Sequence, residues 1–349
     1  MSEAQAEGIR YALGAAALFG ASTPAAKLLL TDLSPLMLSA LLYLGSAIAL
    51  SAYRLLASPA SREAPVSRGD IPAIAAIIFF GGILGPVLML YGLQRISAFT
   101  GSLLLNLEGP FTALIAVGLL REHLGSREKL AAAAVMLGGT LISLAPGYPG
   151  GSWIGAIEVA GACLSWGIDN NLTQRLSLRD PVAIAHIKSC AAGLCTLVLA
   201  LLSGHGSVAE PLALLFGCLV GALCYGASIT LDVKALRLLG AAREAAYFAT
   251  APFVGAFLSL VVFRELPTAL ELAGTMLMIA GVLSLVRETH DHPHTHELVV
   301  HTHLHVHDEH HRHEHDGPMM EPHSHPHVHQ PLAHAHPHVS DIHHRHSHR

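Results

Sequence analysis

The sequence predicts an all-α integral membrane protein: ten transmembrane helices forming two inverted five-helix repeats, followed by a disordered C-terminal tail. Three observations predict it. Of the 349 residues, 52% are apolar and only 13% charged, about half the charged share of a soluble domain. The first 289 residues carry repeated apolar stretches of about 20 residues, long enough to span a ~30 Å hydrocarbon core at ~1.5 Å per residue. The second half of that region repeats the first. The predicted units are a cytosolic N-terminus (1–8), a first repeat (9–145), an outer linker (146–152), a second repeat (153–287) and a His-rich tail (288–349).

The apolar stretches fall at about 9–30, 35–56, 71–92, 97–120, 128–145, 153–175, 181–203, 211–236, 241–263 and 267–286. A large soluble helical protein would need a polar face on each helix, and stretches such as Ile71 to Leu93 have none. The segment Met1 to Gly8 is polar and acidic, and the first apolar stretch is full length, so it reads as a retained helix and not a cleaved leader. Cys163, Cys190, Cys195, Cys218 and Cys224 all lie in predicted spans without a Cys-x-x-Cys pair. They read as small packing residues, not as a disulfide framework or zinc finger.

Lys/Arg asymmetry sets the orientation. With the N-terminus inside, the inner ends and loops carry Arg10, Arg54, Arg62, Arg68, Arg121, Arg127, Lys129, Arg175, Arg179, Arg237, Arg243 and Arg287. The outer side has Lys27, Arg95 and Arg264. Ten spans return the tail to the cytosol. The expected location is the inner (plasma) membrane, with both termini cytosolic.

The run from Pro110-Phe111 to Arg121-Glu122, with Gly139 after it, recurs as Pro252-Phe253 to Arg264-Glu265, with Gly281 after it. Leu93 with Leu236 and Ala98 with Ala241 continue the match. Each unit holds five spans, an odd number, so the second inserts upside down relative to the first. Inverted repeats of this kind flank a midplane cavity that opens to either side in turn.

At these residues the chain resembles the drug/metabolite transporter superfamily, specifically proteins with two EamA domains. The resembling segments are Leu18 to Lys27 in span 1, Tyr91 to Ser143 with its Glu108-Gly109-Pro110-Phe111, Cys163-Leu164-Ser165-Trp166-Gly167 in span 6, and Leu239 to Glu265. Together they cover residues 9–287. The resemblance implies a ten-helix carrier of small solutes, often an exporter, without fixing the substrate. One departure is in span 2: members often have an arginine where this chain reads Ser39-Ala40-Leu41-Leu42-Tyr43-Leu44. A substrate-binding role there does not carry over.

A charge inside the bilayer is costly unless paired, hydrated or snorkelling, so each is a functional candidate. Glu108 falls about 16 Å along span 4 from Ser97, near the midplane. Gly109-Pro110 follows it and weakens the helix ladder there. It is the first candidate for a substrate or coupling-ion site; the competing role is structural, holding the helix break. A second set lies toward the cytosolic half of the second repeat: Asp169, Asn170 and Asn171 in span 6, His186 and Lys188 in span 7, Asp232 and Lys234 in span 8. Asp169 with Lys188, and Asp232 with Lys234 or Lys188, are the expected pairs. A gate or substrate site and a purely structural salt-bridge network account for them equally. Glu158, Lys27 and Glu271 lie nearer the outer ends and read as interfacial. His186 and Cys190, at i and i+4, share a helix face, but a lone histidine beside a packing cysteine is commoner than a metal pair.

The tail holds 23 of the 26 histidines. They cluster as His290, His292, His294, His296; His301, His303, His305, His307; His310, His311, His313, His315; His323, His325, His327, His329; His334, His336, His338; and His343, His344, His346, His348. Residues 290–349 carry 3 Lys/Arg and 8 Asp/Glu, against 17 and 17 before them, so the net charge of −5 resides in the tail. Such a segment cannot bury enough apolar area to offset chain entropy, hence the expectation of disorder. Neutral imidazole suits Zn²⁺, Ni²⁺, Co²⁺ and Cu²⁺, so the tail is expected to bind several such ions with low selectivity.

No basic surface exists for nucleic acid. No nucleotide-binding loop, Gly-x-Ser-x-Gly or His-Glu-x-x-His appears, so no enzyme is indicated. The expected partners are membrane lipid and a small-molecule or metal-ion substrate, with no required cofactor. The function that follows is a secondary transporter tied to transition-metal homeostasis by its tail; the alternative is a metabolite or drug exporter whose tail only stores, senses or regulates.

Overall fold

The structure is a computed structural model. It describes residues 3–57, 64–120, 125–145, 152–177, 179–204, 210–264, 266–286, 290–295, 299–305, 323–329 and 333–338. Outside them lie Arg62, the Arg121-Glu122 pair, residues 146–151 of the linker, Glu265, Arg287 and the tail residues His296, His307, His310, His311, His313, His315, His343, His344, His346 and His348.

A helix stands at every predicted span. Span 1 is α1 (Glu3–Leu29) and span 2 is α2 (Pro35–Leu56), which starts where the Ser34 hydroxyl accepts from the Met37 amide and Pro35 presets the first turn. Span 3 is α3 (Ile71–Ile77), a π-helical turn over Ile78–Leu84, and α4 (Gly85–Arg95). Span 4 is α5 (Ala98–Leu104), a 3₁₀ turn at Leu105–Leu107, and α6 (Glu108–Leu120). Span 5 is α7 (Ser126–Ser143), span 6 α8 (Ser152–Arg175), and span 7 α9 (Pro181–Leu202), capped by Asp180. Span 8 is α10 (Pro211–Val220), a π turn over Gly221–Ala227, and α11 (Ser228–Leu239). Span 9 is α12 (Ala241–Phe248) and α13 (Ala251–Phe263), and span 10 is α14 (Ala269–Val286).

Among the described residues, seven helices are long and apolar enough to cross a membrane by length and composition alone, against the ten spans expected. Spans 5, 6 and 10 fall short. Span 6 carries Glu158, Asp169, Asn170 and Asn171, span 5 carries Arg127, Glu128 and Lys129 in its 18 residues, and the apolar helix of span 10 counts only over Ala269–Ser284. Large apolar side chains such as Ile48, Leu201, Phe257, Val261 and Met276 point outward, the face a bilayer covers.

The duplication governs the packing. The two π turns lie 143 residues apart, as do the related breaks in spans 4 and 9, near Leu105–Leu107 and Ala249–Thr250. Span 1 packs on spans 8 and 9, and span 6 correspondingly on spans 3 and 4. Spans 2 and 7 meet each other, as do spans 5 and 10. At the last contact Gly138 lies against the Gly274 carbonyl, and its counterpart Gly281 lies against the Ala131 carbonyl. This is the reciprocal pattern of a pseudo-twofold axis, and the small residues let the backbones approach closely.

The described tail residues form two strand pairs. β1 (His290–Thr295) pairs antiparallel with β4 (Ala333–His338), and β2 (Val299–His305) with β3 (His323–His329). The physical basis is the His-x-His alternation, which is compatible with extended backbone. A lone two-stranded ladder in water is marginal at best.

At Gly138 a Cβ would sit 2.7 Å from both the Gly274 oxygen and Met278 Cγ, whereas at Gly118 it would meet nothing within 4 Å. Gly138→Leu is therefore expected to destabilise the protein by about 1–3 kcal/mol or more through overpacking. Gly118→Leu should leave the detergent-solubilised melting temperature nearly unchanged.

Candidate functional site

The breaks in spans 3 and 4 position the candidate site. A π turn leaves backbone groups without ordinary helical partners, and hydrocarbon supplies no water to satisfy them. The Gly81 carbonyl in the first π turn accepts from the Tyr43 hydroxyl at 2.9 Å and from Trp166 Nε1 at 3.1 Å. Spans 2, 3 and 6 are thus tied at one point. Tyr43 also lies 5.9 Å, ring to ring, from Tyr225 in the second π turn.

Next to this point, Lys188 Nζ donates to Asp169 Oδ2 at 2.8 Å, joining spans 7 and 6. Asp169 is buried, and Thr173 donates to its other oxygen at 3.4 Å. A Cβ at Gly81 would collide with the Asp169 carboxylate, so only glycine leaves room for the ion pair.

Span 4 supplies the second part. Its 3₁₀ turn ends at Glu108, whose Oε1 accepts from Asn170 Nδ2 at 2.7 Å. Asn170 also reaches the Thr112 hydroxyl at 3.4 Å, and Asn171 donates to the Thr112 carbonyl at 3.0 Å and to the Gly167 carbonyl at 2.8 Å. Glu108 keeps part of its surface accessible, and Asn170 is exposed. An accessible carboxylate beside amide donors and a buried ion pair is an arrangement that can bind a polar or charged solute by charge-assisted hydrogen bonds.

The remaining predicted residues lie apart. His186 Nε2 is 2.8 Å from Ser51 Oγ and 3.5 Å from Cys190 Sγ, on a different face of span 7 from Lys188. Among the described residues no group of three or more His, Cys, Asp or Glu side chains is placed to hold a metal ion. Asp232 corrects an expectation: it bonds to Glu244, not to Lys234 or Lys188. Residues two apart on a helix point to different sides, and Lys234 instead lies over the rings of Tyr11 (5.5 Å) and Tyr53 (5.6 Å). At the outer ends Arg95 pairs with Glu158 at 2.9 Å, and Glu271 accepts from Thr100 at 2.9 Å and from the Thr268 amide at 2.8 Å. Tyr43, Trp166, Thr112 and Glu244 are absent from the sequence-based candidates. The duplicated π turns that recruit the first two carry no proline or charge to reveal them.

Membrane-length apolar helices, a duplicated five-span unit and polar groups gathered at helix breaks give the architecture of a multi-pass membrane transporter. The EamA-like transporter family model matches residues 6–144 and 153–287, and the chain belongs to that family. An uncharacterized transporter from Methanothermobacter thermautotrophicus is 25% identical over 282 residues, covering 76% of this chain and 82% of that relative. A protein of known crystal structure is similar with a TM-score of 0.56 at 17% identity, covering 81% of this chain and 96% of the other, a likeness of fold alone.

Lys188→Met would strand the buried Asp169 carboxylate without its cation, at a cost of about 3–5 kcal/mol. The double variant Asp169→Asn/Lys188→Met should recover most of that loss in a thermal-unfolding assay. An additive double variant would show that the two side chains do not act as a pair.

Proposed function

We propose that this transporter is an exporter of a small solute across the inner (plasma) membrane, that it works by alternating access with both termini cytosolic, and that its tail binds transition metals and links it to their homeostasis. The observation that carries the reading is an asymmetry between equivalent positions. Lys27 ends span 1 by donating to the Leu93 carbonyl at 2.6 Å and the Ile96 carbonyl at 2.8 Å, fastening the outer end of span 1 to the turn between spans 3 and 4. Its counterpart 143 residues on is Asn170, which faces Glu108 and Thr112 on span 4 instead. An inverted pair whose halves differ in this way is closed at one end and free at the other, and exchanging the two arrangements moves the opening across the membrane. The outer end is the closed one, and Glu108 and Asn170 form the substrate site open to the cytosol.

The tail reading is supported by its backbone register. His290, His292 and His294 stand opposite His338, His336 and His334, and His301, His303 and His305 stand opposite His327, His325 and His323. Imidazole suits Zn²⁺, Ni²⁺, Co²⁺ or Cu²⁺. The lack of a three-ligand cluster among the described residues of the spans favours a metabolite as cargo, with the tail storing, sensing or regulating.

In a cysteine-free background, Asn170→Cys should react with a membrane-impermeant maleimide in everted vesicles and not in right-side-out ones. Adding Lys27→Ala should open reaction from the outer side, and labelling of Asn170→Cys from outside alone would overturn the assignment. Tracer efflux of Zn²⁺, Ni²⁺ and Co²⁺ in the same vesicles tests metal as cargo, and none is expected with or without residues 290–349. The full chain should bind more than one Zn²⁺ at neutral pH. Deletion of 290–349 should remove that binding, and so should acidification below the imidazole range of ~6.5.

A further inference from the structure

Span 8 turns into span 9 at Gly240, whose φ of 80° is a left-handed conformation that glycine adopts without strain. The turn folds α12 back onto α11 and brings Glu244 to Asp232. The two carboxyl groups come within hydrogen-bonding reach of each other. Glu244 is only 9% exposed, and Asp232 Oδ1 and Glu244 Oε1 are both buried with no donor from any other group. Two carboxylates only accept hydrogen bonds, so a bond between them requires a proton on one of the two.

On α11, Lys234 lies over Tyr11 and Tyr53, and Arg237 is engaged in contacts of its own. On α1, Glu7 accepts from the Tyr11 hydroxyl at 2.6 Å and Arg10 donates to the Ala6 carbonyl at 3.3 Å. On α9, His186 meets Ser51 and Lys188 meets Asp169. On α14, Glu271 meets Thr100 and Thr268, and on α12 itself Arg243 is exposed. The counterparts of the two acids in the first repeat, 143 residues earlier, are Met89 and Gly101. The fold therefore makes the same helix reversal without an acid pair, and the pair belongs to this half alone.

We propose that Asp232 and Glu244 share one exchangeable proton and form a proton-binding site at the inner end of spans 8 and 9. With the proton bound, the pair carries one negative charge and ties α12 to α11. Release of the proton to cytosolic water leaves two negative charges and no bond between them, so the helices repel. Because α12 also packs on α1, the proton biases the span whose outer end Lys27 holds. The coupling role rests on the alternating-access reading above; the proton site itself does not.

Infrared difference spectroscopy of the full-length protein in lipid nanodiscs tests it. A protonated-carboxyl C=O band that shifts on H/D exchange should be present at neutral pH and disappear in both Asp232→Asn and Glu244→Gln, whose amides mimic the protonated partner and keep the bond. A band unchanged in both variants, or one removed by Na⁺ at fixed pH, overturns the proposal. Should either variant fail to fold, the wild type still decides, since absence of any such band at neutral pH overturns it. A band that behaves as expected in a protein without flux would sink the transport reading and leave the proton site standing.

Discussion

The structure depends on one constraint: a backbone polar group in hydrocarbon must find its partner inside the protein. Unbroken helices meet it by themselves. The breaks of spans 3 and 4 are answered by side chains from other spans. The Gly81 carbonyl receives Tyr43 and Trp166. The Leu104 carbonyl at the break of span 4 receives Cys163 Sγ at 3.4 Å, and the Ala15 carbonyl in span 1 receives Ser228 Oγ at 2.9 Å. The breaks thus tie neighbouring spans together and concentrate polar atoms at those points.

Duplication places these breaks twice, at related positions, but the chemistry differs between the halves. The position of Lys27 becomes Asn170, that of Glu108 becomes Thr250, and that of Met89 becomes Asp232. The shared backbone preserves small-residue contacts such as Gly138 with Gly274 and Gly281 with Ala131. The polar substitutions make the halves unlike: a lysine fastening at the end of span 1, a carboxylate–amide contact in span 4, and two acids at the turn from span 8 into span 9. A symmetric scaffold with unlike polar residues has two unlike ends.

The fold was largely legible because hydropathy, loop charge and the 143-residue repeat are properties of the chain itself. The site was legible in part. Glu108, Asp169 and Lys188 announce themselves as charges in apolar stretches, and their cost in the bilayer makes them visible. Tyr43, Trp166 and Thr112 do not, because an aromatic or a threonine in a span is ordinary. Glu244 was hidden by its place near the inner end of span 9, where acids are common at the interface. The tail shows the opposite limit: its composition gives the ligand chemistry, whereas its strand pairing depends on register, which a uniform His-x-His alternation does not specify uniquely.

By itself, the sequence determined that the chain enters a membrane, about how many times, and that its halves are inverted copies. These follow from the free energy of transferring side chains between water and hydrocarbon, which is nearly additive along the chain. Only the tertiary structure decided that Lys27 grips the turn after span 3, that Asn170 meets Glu108, and that Asp232 faces another acid and not a lysine. A helix apolar all round gives no signal of its rotation about its own axis, so its polar partners are set by packing against neighbours distant in sequence.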